Sequence, residues 1–466
     1  MPAARRPRSL LPALLLAAGL GALVSECHGP VFSAAWLPQA GRRGAGFGPR
    51  RRGARGSLDE GCASARQAVA DLTMERTVGG MQLSGLQGKP LEPGRVIPTL
   101  RQVRQAVPEH CFKKDTLRSM KHVFLDLAMT LGCGVAAYAL IPFKLSALPL
   151  WVAYAVVTGT VATGLWVLAH ECGHGAFSDN KRLQDAVGFL IHTSLLVPYF
   201  SWQRSHAVHH RYTNHMTLGE SHVPDTDIST RGKITNFLRD ACLKVGGQRV
   251  GGWLWGASQA IAHLGVGWPA YILFGETGGH ARGVTNHFVP FRLDGQPDTD
   301  PLFPGRWRAK VYQSTAGVLA MLGLLYGAGR LWGFERVLAL YVGPLCVTNA
   351  WLVLYTWLQH TDTDVPHLED EHHNFMKGAF LTIDRPYDKM LGGVCDWLHH
   401  KIGTTHVAHH IDCTIPWYHA KEATEAIKKT FPEAYLYDDT PIPKALARVA
   451  TNCTTVQKHG DMWVWA

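Results

Sequence analysis

Four stretches of the sequence are long enough and apolar enough to cross a lipid bilayer as helices. Leu145–Ala169 and Val337–Thr361 each contain no charged residue over 25 positions, and Val311–Gly329 contains none over 19. Val123–Phe143 carries a single charge, that of Asp126. A bilayer core needs about 20 apolar residues in helical conformation. The sequence therefore predicts an all-α integral membrane protein with four transmembrane helices, because a soluble core rarely needs four such stretches.

Two further uncharged stretches are less suited to crossing a membrane. Val250–Gly275 contains six Gly together with Gln259, His263 and Pro269. Ala186–Trp202 is only 17 residues long and also includes a His and a Pro. We expect both to form interfacial helices, or to enter the bilayer and return on the same side.

The N-terminal region differs in composition from the rest of the chain. Residues 1–57 contain nine Arg, no Lys and a single acid, Glu26, and Leu10–Val24 is an apolar run behind the first arginines. This pattern is typical of a targeting presequence, a signal with a possible transit peptide, although a disordered basic tail is the alternative. It accounts for most of the net charge of +10, so no nucleic-acid partner is implied. We predict a linker at 58–96, a membrane domain at 97–450 and a C-terminal tail at 451–466.

The informative feature of the composition is its 25 histidines, many of which fall into three boxes. His-Glu-Cys-Gly-His ends the second apolar stretch, and His-x-x-His-His occurs twice, at 206–210 and 406–410. Helical spacing of i, i+3 and i+4 brings such side chains to one face, where neutral imidazoles bind transition metals. One ion accepts four to six ligands, so nine imidazoles imply two metals. The predicted ligands are His170, His174, His206, His209, His210, His360, His406, His409 and His410.

Two other interpretations of the boxes compete with a dinuclear iron site. The first box is also a His-Glu-x-x-His sequence, which in an intramembrane zinc metalloprotease would use Glu171 as the general base. That mechanism leaves boxes two and three unexplained. A metal transporter would carry its histidines inside the spans, whereas these lie at span ends and in loops. We therefore expect Glu171 and Asp179 to lie behind the ligands, where a carboxylate accepts a hydrogen bond from an imidazole and orients it.

Among the other histidines, His215 and His222 are interpreted as solvated or as neighbours of the ligands, and His372 and His373 as part of a solvated surface turn. His399 and His400 lie near the third box and are interpreted as structural, with a ligand role as the minor alternative. His419 is interpreted as structural.

The boxes also predict the membrane topology. They must share one face of the membrane to meet at one site, so an even number of crossings must separate boxes two and three. The third and fourth apolar stretches supply two crossings, so Val250–Gly275 should not cross. Positive charge concentrates before the first span, which predicts that the approach to this span and all three boxes face the cytosol. The charges are those of Lys113, Lys114, Arg118 and Lys121.

A His-rich di-iron site in a water-poor environment can use O₂ to remove hydrogen from an unactivated C–H bond. Substrates that reach such a site from a bilayer are lipids, and the product is an alkene or an alcohol. The reaction needs electrons, and the sequence contains no nucleotide-binding motif, so a separate electron carrier is expected.

The boxes resemble, in order and spacing, those of the membrane fatty acyl desaturases, and most closely the microsomal-type Δ12 (omega-6) oleate desaturases. The resemblance covers about residues 97–450, including 102–113, the tract 195–202 before box two, and Pro416 and Tyr418–Ala420 after box three. It implies that the nine histidines bind two iron ions and that O₂ is the co-substrate. It also implies an oleoyl chain on a phospholipid as the substrate, and cytochrome b5 in the endoplasmic reticulum as the electron donor.

Several alternatives stay open at this point. An omega-3 desaturase or a fatty acyl hydroxylase of the same family is the alternative activity, and the hydroxylase relatives share all three boxes. The presequence would also suit delivery to a plastid membrane, where ferredoxin would be the donor.

Overall fold

The computed structural model describes residues 96–465, together with the backbone of a short hairpin, Thr77–Val78 paired with Met81–Gln82. The predicted presequence, and almost all of the predicted linker, lie outside the described residues.

Four helices are long and apolar enough to span a membrane among the residues that the structure describes. They are span 1 (Thr116–Leu140), span 2 (Leu145–His174), span 3 (Trp307–Trp332) and span 4 (Phe334–His360). Each overlaps one of the four predicted stretches over most of its length, which confirms that prediction. Span 2 is the central helix, since 67% of its most apolar window is buried by protein, against 17% for spans 1 and 3.

The local sequence sets where these helices begin and end. The Asp115 side chain caps span 1 by accepting a hydrogen bond from the Arg118 N–H. Span 2 stops after His174 because the next residue, Gly175, has a φ of 77°, in the left-handed region that favours glycine. The box-one histidines occupy the last turn and a half of span 2, so this stop fixes them at one end of the membrane-spanning bundle.

Spans 2 and 4 pack closely because small residues let their backbones approach. A Cβ atom on Gly159 would lie 2.5 Å from the Pro344 carbonyl oxygen and 2.5 Å from the Val347 Cβ. The Thr348 hydroxyl donates a hydrogen bond to the Gly159 carbonyl, 3.1 Å away, across the same contact. This packing aligns the two spans so that both end at the histidine cluster, where His360 contacts His209 and His406.

The stretch before box two folds as two helices, Lys181–Ser194 and Tyr199–Arg211, separated by a turn in which Leu196 has a φ of 56°. The second is the box-two helix. It is followed by Thr230–Gly246 and Gly252–Phe274. The last of these contains Pro269 and corresponds to the stretch predicted not to cross; it is not among the four candidate spans of the described region.

Short elements before span 1 and after span 4 complete the described part of the fold. The box-three helix is His406–Ile411, and the other helices are Leu100–Ala106 near the start of the described region and Phe375–Ala379, Val394–Leu398, Trp417–Thr430 and Ile442–Asn452 near its end. A three-stranded antiparallel sheet has the order His367–Leu368, Met462–Trp465, Val456–His459.

The segment 451–466, predicted as a tail, is therefore largely built into the fold. Val456 and Trp465 are buried, and both strands of the hairpin pair within the sheet. Two four-residue strands leave too little periodicity in the sequence to be recognised without their partner.

Candidate metal centre

The structure brings the nine predicted histidines together where the ends of spans 2 and 4 meet the box-two and box-three helices. In the first group, one ligand atom from each of four rings lies within 4.8 Å of the others. The i, i+4 spacing at the end of span 2 supplies two of these rings, and the box-two and box-three helices supply one each. The group consists of His170, His174, His206 and His409.

A second group of three buried rings also brings its ligand atoms within 4.8 Å of one another. It consists of His209, His360 and His410. The Nε2 atoms of His209 and His360 are 3.1 Å apart. In this group each ring comes from a different element: the box-two helix, span 4 and the box-three helix. Both groups therefore depend on tertiary packing for their geometry.

The remaining two histidines adjoin these groups. The His210 Nε2 lies 3.2 Å from the His206 Nε2, and the His406 Nε2 lies 2.9 Å from the His360 Nε2. The rings of His210 and His410 stack with centroids 4.1 Å apart. All nine rings thus form one continuous cluster with two foci.

The ring nitrogens of this cluster are better placed to coordinate metal ions than to form hydrogen bonds with one another. The Nε2 atoms of His409 and His410 are buried and have no hydrogen-bond partner among the described residues. A buried polar atom left unpaired costs about 1–3 kcal/mol. Two groups of converging ring nitrogens, with unpaired atoms in both, make a suitable donor set for two transition-metal ions.

Burial also sets the protonation state of the rings outside the spans. It lowers the pKa of His209 to about 3, with a smaller contribution from neighbouring His409, and burial alone lowers the pKa of His409 to about 3. The pKa values of His206, His210 and His410 are likewise lowered, first by burial and then by adjacent rings. These imidazoles are neutral near pH 7, which is the form that binds metals.

Polar partners outside the cluster orient several rings. The Ser221 hydroxyl lies 2.9 Å from the His209 Nδ1, and the Thr213 hydroxyl lies 3.2 Å from the His410 Nδ1. A hydrogen bond at Nδ1 fixes the ring and leaves Nε2 for a metal. Sequence reasoning missed both residues, because a lone Ser or Thr in a loop has no distinctive spacing.

His222 is closer to the centre than its sequence context indicated. Its ring stacks on His360, with centroids 5.2 Å apart and an interplanar angle of 14°. Burial lowers its pKa to about 3. Of the two interpretations of His222, the structure therefore excludes a solvated side chain: its ring packs against the histidine cluster.

Asp384 holds the box-three helix in place. Its Oδ1 accepts hydrogen bonds from the backbone N–H groups of His406 and Val407, at 2.5 and 3.0 Å. Its Oδ2 accepts a third from the Tyr435 hydroxyl at 2.6 Å. The carboxylate thus caps a six-residue helix that carries three of the nine histidines.

Arg385 supports the chain on both sides of His360. Its Nε donates to the Leu358 carbonyl at 2.6 Å, and its Nη2 donates to the Thr361 carbonyl at 3.3 Å. The Arg385 side chain is fully buried. These bonds satisfy carbonyl groups at the end of span 4 that the helix itself leaves free.

Two buried carboxylates balance the charge of this arginine. Arg385 pairs with Asp362 at 2.7 Å and with Asp438. Arg448 pairs with the same two carboxylates, at 2.7 and 2.6 Å. The four residues form a compact ion-pair network directly behind His360.

The two acids predicted to lie behind the ligands are in different surroundings. Glu171 is buried, and its Oε1 lies 3.9 Å from the His170 Nδ1, beyond hydrogen-bond distance. Its Oε2 accepts from the Trp417 backbone N–H at 3.0 Å. Asp179 instead has an 84% exposed side chain and pairs with Lys114. The prediction for Asp179 is corrected, because the turn after Gly175 carries it to the surface.

His399 and His400 are structural, as the sequence indicated. His399 bonds to the Tyr355 hydroxyl and the Thr160 carbonyl, each at 2.7 Å. His400 bonds to Asp126 at 2.7 Å, which gives the one charged residue of the first apolar stretch a partner. Outside this pair, His215 bonds to Asp370, also at 2.7 Å.

Comparisons with known proteins agree with this arrangement. Residues 147–441 match the family model of the fatty acid desaturases. The chain is 37% identical over 370 residues to the Δ(12) fatty acid desaturase of Mortierella alpina, covering 78% of this chain and 89% of that protein. It is 36% identical over 395 residues to the endoplasmic reticulum omega-6 fatty acid desaturase isozyme 1 of Glycine max, covering 83% and 95%. The Δ(12)-oleate desaturase of Trichosanthes kirilowii is 37% identical over 366 residues, covering 78% and 92%.

Proposed function

The chain belongs to the fatty acid desaturase family, and from that membership we propose that it introduces a cis double bond at Δ12 of oleoyl chains to give linoleoyl chains. As a member it is an oxidoreductase with membrane-spanning helices and a lipid substrate. The observation that carries the proposal is the convergence of nine imidazoles at the ends of spans 2 and 4, in a chain similar to proteins named Δ12 desaturases. The zinc protease alternative would use only the first box.

We infer that the metals are two iron ions. One would be held by the first group, His170, His174, His206 and His409, and the other by His209, His360 and His410. His210 and His406, which lie at the boundary of the groups, complete the donor set. Bound iron would supply the activation of O₂.

The reaction balances with two electrons from a carrier. A –CH₂–CH₂– unit, O₂, two electrons and two protons give –CH=CH– and two water molecules. The protein must therefore keep the reacting carbons close to the metals and limit access of bulk water. The rings of Trp166 and Trp202 pack against box-one and box-two histidines, at centroid distances of 5.6 Å to His170 and 4.6 Å to His206. These indoles exclude water on the membrane side of the first group.

The residues around the centre keep its geometry fixed before substrate binds. Ser221 and Thr213 orient rings through Nδ1, Asp384 fixes the box-three helix, and Arg385 fixes the end of span 4. Preorganised ligands lose little further freedom during the reaction, which favours specific removal of hydrogen at one position of the chain.

We propose cytochrome b5 as the electron donor and the endoplasmic reticulum as the location, with ferredoxin and a plastid membrane as the alternative. The names of the Glycine max relative and of others in the endoplasmic reticulum support the first assignment. A cytosolic position of all three boxes follows from the charge before span 1. A targeting role for residues 1–57 follows from their composition alone, and a fluorescent fusion of residues 1–95 tests it.

The function is tested by expressing the chain in a host that makes oleate but no linoleate. We expect a diene whose new double bond lies at Δ12, identified by mass spectrometry of derivatised fatty acids. His409→Ala should abolish the product, whereas His372→Ala, at the surface, should retain it. A hydroxylated chain, or a double bond at the omega-3 position of supplied linoleate without Δ12 product, would contradict the assignment.

A further inference from the structure

A second group of metal-binding side chains lies outside the histidine centre, where the segment before span 1 meets the helix Trp417–Thr430. One ligand atom from each of four side chains lies within 4.8 Å of the others. We propose that this group is a Zn²⁺ site that fastens the segment before span 1 to that helix. Its ligands are His110, Cys111, His419 and Glu422.

The four side chains come from two short elements. His110 and Cys111 are adjacent in the 3-10 turn Glu109–Phe112. His419 and Glu422 are three residues apart on one helix, so they share a face. The His110 Nε2 lies 2.9 Å from the Glu422 Oε2 and 3.8 Å from the Cys111 Sγ, and its ring contacts that of His419 edge-on at 5.4 Å.

The donor set and the spacing suit zinc. Zinc takes Cys, His and carboxylate ligands in tetrahedral sites, with Zn–N of about 2.0–2.1 Å and Zn–S of about 2.3 Å. Those bond lengths place tetrahedral ligand atoms roughly 3.3–3.7 Å apart. Because all four ligand atoms already lie within 4.8 Å of one another, no pair needs to close by more than about 1.5 Å. A thiolate and one carboxylate also supply two negative charges, which neutralise the ion.

The surroundings provide both a rigid base and a path for the ion. Cys111 is fully buried in the same apolar cluster as Ala408 and Ile411 of the box-three helix. The side chains of His110 and Glu422 are about half exposed, at 52% and 51%, so the group opens to solvent. An exposed His–Glu ion pair alone contributes little to stability, whereas a coordinated metal links segments 312 residues apart.

The zinc site would act on the histidine centre through the helix Trp417–Thr430, which carries the proposed zinc ligands His419 and Glu422. That helix begins at Trp417, whose N–H donates to Glu171 beside the first box. A bound zinc would therefore hold the helix Trp417–Thr430 and the start of span 1 in register. It is a structural site, distinct from the proposed catalytic metals.

Metal analysis of the purified full-length protein in detergent tests the proposal. After iron loading and equilibration with Zn²⁺, we expect one zinc per chain in addition to iron. Glu422→Gln should lose that zinc with iron unchanged, and Glu425→Gln, on the same helix, should keep it. Equal zinc content in the two variants, or no zinc in the unaltered chain beyond what displaces iron, would overturn the site.

Cobalt provides a second readout, because a thiolate ligand gives Co²⁺ a charge-transfer absorption that imidazoles do not. We expect this band in the unaltered protein and in Cys346→Ser, and its loss in Cys111→Ser. Retention of the band in Cys111→Ser would refute the ligand assignment. Because Glu422 is exposed, the Glu422→Gln result stands even if the buried Cys111→Ser variant folds poorly. Neither readout depends on desaturase activity.

Discussion

Arg385 offers the sharpest test of how the protein positions His360, the proposed metal ligand outside the boxes. Arg385→Lys keeps a positive charge for Asp362 and Asp438, but a single ammonium lacks the planar fork that also reaches the Leu358 and Thr361 carbonyls. Each buried carbonyl left unpaired costs about 1–3 kcal/mol. The variant should therefore lose about 2–6 kcal/mol of stability, and the end of span 4 that carries the fourth span's histidine should become mobile.

Arg448 provides the matched control for this variant. Arg448 pairs with the same two carboxylates, but its hydrogen bonds go to Thr440 and the ion pair and not to the carbonyls beside His360. Arg448→Lys should lower stability through the ion-pair network while leaving the ligand in place.

The two variants are compared by thermal midpoint in detergent, by iron content per folded chain and by diene formation. We expect both variants to lower the thermal midpoint, and only Arg385→Lys to lower the iron content. Residues that support metal ligands typically change metal affinity by about 10–100-fold when they are replaced, and we expect a loss of that size here. If the two variants retain iron equally, Arg385 acts only through charge and the positioning argument fails.

Three further substitutions test other supports of the centre. Asp384→Ala removes the cap of the box-three helix and three hydrogen bonds, so we expect at least about 3 kcal/mol of destabilisation and loss of iron; normal iron content would count against it. Thr213→Val removes the Nδ1 partner of His410 and should weaken iron binding about tenfold or more in a metal titration, with the fold retained; unchanged affinity would refute the role. Gly159→Ala should lower the thermal midpoint by overpacking spans 2 and 4, whereas Gly132→Ala, which meets open space, should not; equal midpoints would contradict the close-packing argument.

The sequence predicts the membrane spans and the histidine set because both depend on local patterns. A run of about 20 uncharged residues identifies a span whatever it packs against. The i, i+3 and i+4 spacings likewise bring the histidines of a box to one face before any tertiary contact is known. His360 was found because it ends a span on the side of the boxes.

The supports of the centre could not be predicted in this way. Asp384, Arg385 and Thr213 belong to no recognisable motif, and their partners are set by packing of distant segments. Asp179 was wrongly predicted to lie near the metal centre because it is five positions after His174 in the sequence. The left-handed turn at Gly175 carries it to the surface instead. The pairing of Met462–Trp465 with Val456–His459 on one side and with the two-residue strand His367–Leu368 on the other could not be predicted either.

The division of the centre among four elements also determines when it can assemble during synthesis. Boxes one and two lie in the first half of the chain, but box three follows about 200 residues later, so at about 5–20 residues per second the ribosome needs roughly 10–40 s to reach it. During that interval the imidazoles of span 2 and of the box-two helix are present without those of the box-three helix. The full set of nine imidazoles therefore exists only after the third box has been synthesised and has docked, and until then the partial histidine clusters of the unfinished chain are open to any transition-metal cation present.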